Sequence, residues 1–186
     1  MKGEVMSAHD AFNFHHTAIT EYLEILLSGT MTHQTAADAT SGLEDADFGD
    51  YWQARVIFNA IRTTVNDNLE TNRWDPLTPS DVFEQLRREG ALANKGFIQT
   101  WLDIVSPPSH KIPQPATKIP VLVARIIEGH FRNRHSDVYA TGDSFTESLD
   151  DIVSRMATNR ETLLAIYQRI PVSKAHLQAV DGSDAA

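Results

Sequence analysis

Basic and imidazole side chains are concentrated in one stretch of the chain, EGHFRNRHSDVYATGDS at residues 128–144. An arginine can hold a phosphate group and stabilise the charge that develops on it, and a histidine can move a proton near neutral pH. Together these residue types suit cleavage of RNA at a 2′-hydroxyl group, a reaction that requires neither a metal nor a cysteine. The candidate residues in and just before this stretch are Arg125, His130, Arg132, Asn133 and His135.

The same cations also fit a purely structural interpretation. They lie at or near the C-terminal end of a predicted helix, where positive side chains complement the helix dipole by about 0.3–1 kcal/mol each. Arg125, deeper in that helix, is placed to pair with an acidic neighbour across a helical bundle. The residue types alone therefore leave both catalysis and helix stabilisation open.

The layout around Arg132 and Asn133 resembles the HEPN domains, small helical bundles that commonly dimerise and often act as metal-independent ribonucleases. In the family motif, an arginine that is frequently followed by asparagine precedes a histidine, with four to six residues between the arginine and the histidine. In FRNRHSDVYATGDSFTESLDDIVSRM, Arg132-Asn133 precedes a loop and a long amphipathic helix, as in that family. The resemblance covers the second half of the chain and implies a ribonuclease, or an inactive relative that pairs with a partner.

Two arginine–histidine pairs, Arg125 with His130 and Arg132 with His135, are candidates for this motif, and each departs from it. Arg125 and His130 have the bare spacing, but both fall within a predicted helix and no asparagine follows Arg125. His135 comes earlier after Arg132 than the motif requires. The positions where the motif expects a histidine after Arg132 hold Asp137, Val138 and Tyr139.

Arginines on several predicted helices indicate a third class of function, a nucleic-acid-contacting small subunit of a ribonucleoprotein complex. The candidate residues for RNA or DNA binding are Arg55, Arg62, Arg132 and Arg134. Against this class, acidic residues outnumber Lys and Arg by 25 to 16, and the formal net charge is −9. Such a charge disfavours non-specific binding to phosphate, although a local basic patch remains compatible with it.

Histidines in the first predicted helix are candidate metal ligands. His9 and His16 are seven positions apart on one helix face, with Glu21 and Glu24 further along. Helical bundles hold metals with Glu-x-x-His pairs, and the sequence contains none. The chain also has no cysteine, which excludes disulfides and thiolate sites. We therefore expect no metal site and no cofactor.

Composition predicts a packed, water-soluble protein. Hydrophobic residues make up 41% of the chain, which is close to the average for globular domains. No run approaches the roughly 20 apolar residues that span a bilayer, and the N-terminal residues lack the apolar core of a secretory signal. We expect a cytoplasmic protein without a membrane partner.

Apolar residues recur at helical spacing along almost the whole chain. The pattern predicts an all-α fold, a single-domain bundle of about six helices over residues 1–170. A polar loop is expected at 29–47, a Pro-rich loop at 106–118 and a weakly ordered tail at 171–186. The helices are predicted at about 8–28, 50–72, 78–90, 94–106, 120–135 and 144–170.

The sequence favours a non-catalytic interaction protein, a subunit of a larger assembly or a homodimer, that binds another protein or itself. It contains no intact catalytic signature, and it has more amphipathic helix than one small core consumes. Tryptophans that are partly exposed are natural interface anchors. The tryptophans of the chain are Trp52, Trp74 and Trp101.

Overall fold

The computed structural model describes residues 8–106, 116–140 and 148–170, of which 8–13, 139–140 and 149 are described by their backbone alone. The described part is all-α, as predicted, and contains no strand. Three short 3-10 helices, at Asp45–Phe48, Ala91–Ala93 and Ala116–Lys118, connect the longer elements. The α-helices are α1 (Ala8–Leu26), α2 (His33–Thr40), α3 (Trp52–Glu70), α4 (Pro79–Arg88), α5 (Lys95–Val105), α6 (Ile119–Ala140) and α7 (Leu149–Arg169).

Helix α4 begins and ends at residues that the sequence specifies. The Thr78 hydroxyl accepts a hydrogen bond from the backbone N–H of Asp81, and the Asp81 carboxylate accepts one from the backbone N–H of Thr78. Pro79 occupies the first helical position, where its missing N–H costs nothing. Gly90 follows the helix with a φ of 73°, a left-handed conformation that favours glycine. These residues place the helix within the predicted range 78–90.

Helix α2 lies inside the segment 29–47, for which the composition predicts a polar loop. Its N-cap is Thr32, whose hydroxyl accepts a hydrogen bond from the N–H of Thr35. The side of α2 that is buried consists of His33, Ala36 and Thr40. These small or polar residues give no apolar stripe, so hydrophobic periodicity does not reveal the helix. The described residues therefore contain one α-helix more than the six predicted.

Helix α7 is continuous from Leu149 to Arg169 and includes the half-buried Asn159. Ser148 caps it, because its hydroxyl accepts a hydrogen bond from the N–H of Asp151. Residues 144–147, where the last helix is predicted to begin, lie outside the described residues. The tail at 171–186 and most of the Pro-rich loop also lie outside them.

The hydrophobic core is built largely from α1, α3 and α6, and α7 lies at its edge. Tyr22 of α1, Phe58 of α3 and Ile126 of α6 have no solvent exposure. Among the described side chains of α7, by contrast, Ile166 alone is buried. None of the helices in the described ranges is both long enough and apolar enough to cross a bilayer.

Candidate functional site

The centre of the first candidate site is the carboxylate of Asp47, whose side chain has no solvent exposure. The guanidinium of Arg169, from α7, donates to both carboxylate oxygens, from Nη1 to Oδ1 at 3.1 Å and from Nη2 to Oδ2 at 2.5 Å. His130 Nδ1 of α6 lies 2.9 Å from Oδ1, and the backbone N–H of Glu44 donates to Oδ2 at 2.7 Å. The carboxylate thus joins α6, α7 and the 3-10 helix at residues 45–48.

Burial and hydrogen bonding act in opposite directions on Asp47. Burial raises the pKa of a carboxyl group because it disfavours the charged form. Hydrogen bonds from His130, Arg169 and the backbone of Glu44 favour the charged form, and together they lower the pKa of Asp47 below its ordinary value. Asp47 is therefore an ionised acceptor at neutral pH.

His15 of α1 extends this network into the core. Its Nε2 lies 2.9 Å from the backbone oxygen of Asp47, and its Nδ1 lies 3.2 Å from Asn133 Nδ2 of α6. Because a carbonyl oxygen can only accept, Nε2 carries the proton, and Nδ1 accepts from the Asn133 amide. Burial lowers the pKa of His15, although the hydrogen bond to Asp47 opposes that shift. A neutral imidazole satisfies both partners.

Gly129 allows α6 to approach α1 at this point. A Cβ atom at position 129 would lie 2.7 Å from Cγ of His15, closer than real Cβ contacts allow. Gly129 thus leaves room for the imidazole between the two helices. The adjacent residue, His130, is thereby brought against Asp47.

The structure separates the residues of the first motif pair. Arg125 lies with its guanidinium carbon 5.5 Å from the centroid of the Phe14 ring, whereas His130 contacts Asp47. Positions five residues apart point about 140° away from each other around a helix. Arg125 and His130 therefore do not converge on one groove.

The residues of the second possible motif, Arg132, Asn133 and His135, are also separated in the structure. Arg132 donates from Nε to the Glu128 carboxylate one turn earlier, at 2.9 Å, on the exposed side of α6. Asn133 contacts His15, and the ring of His135 lies 6.1 Å from that of Phe131. Of the five residues considered for catalysis, the structure brings His130 and Asn133 into the Asp47 network. Arg125, Arg132 and His135 make their contacts elsewhere.

The residues considered for nucleic-acid binding lie on two helices. Arg55 and the exposed Arg62 belong to α3, where the Arg62 guanidinium lies 5.6 Å from the centroid of the Phe58 ring. Arg132 and Arg134 are exposed on α6, and Glu128 offsets the charge of Arg132. Within the described ranges, no three His, Asp or Glu side chains are grouped closely enough to hold a metal ion.

Sequence reasoning missed the two residues that organise the network, Asp47 and Arg169. They are 122 positions apart, and Asp47 lies 83 positions before His130. No local pattern relates positions so distant. The acidic segment LEDAD, which contains Asp47, reads as a solvated run, and its burial becomes evident only in the folded chain.

The second candidate site is an exposed apolar face of α7. Four large side chains on this helix remain accessible: Val153 at 64%, Met156 at 65%, Leu164 at 46% and Tyr167 at 57%. The face borders a groove of about 740 Å³ between α6 and α7. Residues that line the groove include Phe131, Val138, Ile152, Met156, Leu163 and Tyr167.

Helix α7 therefore carries two apolar faces rather than one. Ile152, Leu163 and Ile166 are at least half-buried on the side toward the body of the protein. At 3.6 residues per turn, the exposed side chains lie about a quarter of a turn away from that side. Asp151, Thr158 and Thr162 occupy the remaining, polar side. The second apolar face is not needed to attach α7 to the core.

Large exposed side chains elsewhere are more scattered. Trp74 is 82% exposed, in the segment between α3 and α4, and Trp52 is 40% exposed and stacked on Phe97. Trp101 is buried in the core, so it is no interface anchor. Single exposed apolar residues are normal on soluble proteins, whereas contiguous apolar faces mark interaction sites.

No family model, curated protein or solved structure matches this chain. The two candidate sites of the chain itself are therefore the evidence for its function. The Asp47 network is largely buried and saturated with internal partners, whereas the face of α7 is open.

We expect the pKa of His15 to make the protein less stable in mild acid. Because burial lowers that pKa in the folded state, the unfolded chain binds a proton at position 15 that the folded chain excludes. The stability that neutral His15 provides is complete above the unfolded pKa of about 6.5 and is lost as the pH falls toward the folded value. Urea unfolding at pH 7, 6 and 5 measures this loss.

The matched control is His15→Gln, which keeps a polar side chain at position 15 that cannot titrate. This variant should show a flatter pH dependence of the free energy of unfolding than the wild type. Equal slopes in the wild type and His15→Gln would contradict the assignment.

Proposed function

We propose that this protein is a non-catalytic interaction protein, a single-domain helical bundle that binds an amphipathic α-helix of a protein partner. The observation that carries the proposal is the second apolar face of α7. Val153, Met156, Leu164 and Tyr167 form it, and all four are about half exposed or more. An apolar helix face beside an open groove is a common mode of helix recognition.

The chemistry of this surface specifies the partner. Most of the groove wall is apolar, with Phe131 and Val138 on α6 facing Met156 and Leu163 on α7. The remaining lining includes the polar side chains of Arg155, Asn159 and Arg160. A matching helix presents apolar residues at positions i, i+3 or i+4, and i+7. Arg160 lies within the exposed face and favours an acidic residue on the flank of the bound helix.

The Asp47 network supports this function by holding α7 in place before a partner arrives. Arg169, in the last turn of α7, is bound to Asp47 and, through Nη1 at 3.1 Å, to Glu44. A helix fixed in its bound orientation loses less conformational entropy on association. Hence we assign the buried network to positioning and the exposed face to binding.

A display library of amphipathic helices tests the proposal directly. Selected peptides should bind the wild type and lose at least about tenfold in affinity toward Met156→Glu, because that variant buries an unpaired charge in the interface. Thr158→Glu, on the polar side of α7, should bind as the wild type does. If no peptide distinguishes Met156→Glu from the wild type, the face is not a helix-binding site.

The second candidate is a HEPN-like metal-independent ribonuclease, and one observation favours it. Because Asp47 accepts the Nδ1–H of His130, that imidazole is oriented with Nε2 as its remaining nitrogen, and the side chain is 15% exposed. A carboxylate that fixes a histidine in this way is a recurrent catalytic arrangement. Arg169 would be the adjacent cation, although it is already bound by Asp47.

Incubation of single-stranded RNA with the protein in EDTA tests this candidate. A ribonuclease should cleave the RNA and lose activity at least about 100-fold in His130→Ala. His135→Ala, whose imidazole lies outside the Asp47 network, is the control and should retain activity. Intact RNA with the wild type would exclude the ribonuclease, and salt-sensitive binding without cleavage would instead support a nucleic-acid-contacting subunit.

A further inference from the structure

The exposed face of α7 has a palindromic spacing. Its members are Val153, Met156, Arg160, Leu164 and Tyr167, separated by three, four, four and three positions. The spacing of these positions is the same in both directions from Arg160. At about 100° per residue, all five lie within an arc of about 80°. The stripe is therefore symmetric about its centre, which a face for an unrelated helix does not require.

A two-fold axis through Arg160 would pair this stripe with itself. An antiparallel copy of α7 then places Val153 opposite Tyr167 and Met156 opposite Leu164, so apolar side chains meet apolar side chains. A self-complementary surface of this kind is what two-fold symmetric dimers require.

The axis places charged residues at the centre of the interface. Arg160 is the single charged residue of the stripe, and Glu161 follows it on the flank. Because the axis passes through position 160, it brings the two Arg160 side chains together, and like charges at one position repel each other. Two reciprocal ion pairs, each between Arg160 of one copy and Glu161 of the other, would offset this repulsion. A formal charge of −9 on each chain opposes association at long range. An apolar dimer of such chains should therefore become tighter as salt rises.

We propose that the helix bound by this face is α7 of a second copy, antiparallel and related by a two-fold axis at Arg160. This inference rests on the proposed function and names its partner. The pair would form a four-helix arrangement, with one α6–α7 pair from each copy around an apolar seam. Phe131 and Val138 of α6 extend the seam. A specific interface buries about 800 Å² per partner, more than one helix stripe alone supplies.

Engineered cysteines test the geometry, since the chain has none of its own. Arg160→Cys should form a disulfide-linked dimer under mild oxidation, because the axis brings the two positions together. Thr158→Cys lies on the polar side of α7 and should form no disulfide-linked dimer under the same conditions. Equal crosslinking of the two variants, or none in Arg160→Cys, would overturn the proposal.

The register gives a sharper test. In the antiparallel pair, Met156 lies about 12 Å along the axis from Met156 of the other copy, beyond the reach of a disulfide. Met156→Cys and Leu164→Cys should therefore crosslink poorly alone and efficiently when mixed. A parallel pair would give the opposite pattern, with each variant linking to itself, and would exclude the proposed axis.

Sedimentation separates this inference from the proposed function. The wild type should be a dimer at about 100 μM, a concentration well above a micromolar dissociation constant, and Met156→Glu should be a monomer. A monomeric wild type that still binds selected peptides in a Met156-dependent manner would refute the second copy and leave the helix-binding face intact. A monomer that binds no such peptide would refute both.

Discussion

The structure depends on one buried charge. The carboxylate of Asp47 is removed from water, and an ionised group in that position is tolerated only where charged and hydrogen-bonding partners replace the solvent. Those partners come from three parts of the chain: the backbone of Glu44, His130 on α6 and Arg169 on α7. Removing one partner of a buried pair of this kind commonly costs about 3–5 kcal/mol, because the other charge is left uncompensated. The geometry around Asp47 therefore fixes where the end of α7 lies.

The contact with Asp47 explains how α7 holds a defined position although it contributes little to the hydrophobic core. Ile166 is the one buried side chain among those described on α7, yet the C-terminal turn is bound to the 3-10 helix at residues 45–48 through Arg169. The polar attachment leaves the apolar stripe from Val153 to Tyr167 available for another helix. Within α7, Arg169 thus positions the helix, and the apolar stripe from Val153 to Tyr167 is the surface for binding.

Local sequence features predicted the helices but not the contacts between them. The α4 cap could be read from Thr78 and Pro79 because its partners are three residues apart. Helix α2 escaped prediction because its buried face is formed by His33, Ala36 and Thr40. The cluster at 128–135 looked like one site in sequence, but consecutive helical residues point about 100° apart, so its members contact different neighbours. Asp47 and Arg169 share no local signal at all.

We conclude that Asp47 holds α7 on the body of the protein, and amide hydrogen exchange of Asp47→Asn tests this claim most directly. In this variant, exchange across Asp151–Arg169 should accelerate at least about tenfold, whereas α3 amides should change much less, because local opening of α7 requires only its own detachment. Asp45→Asn alters an exposed carboxylate two positions away and should leave α7 protected. Unchanged exchange in α7, or equal acceleration in every helix, would contradict the claim.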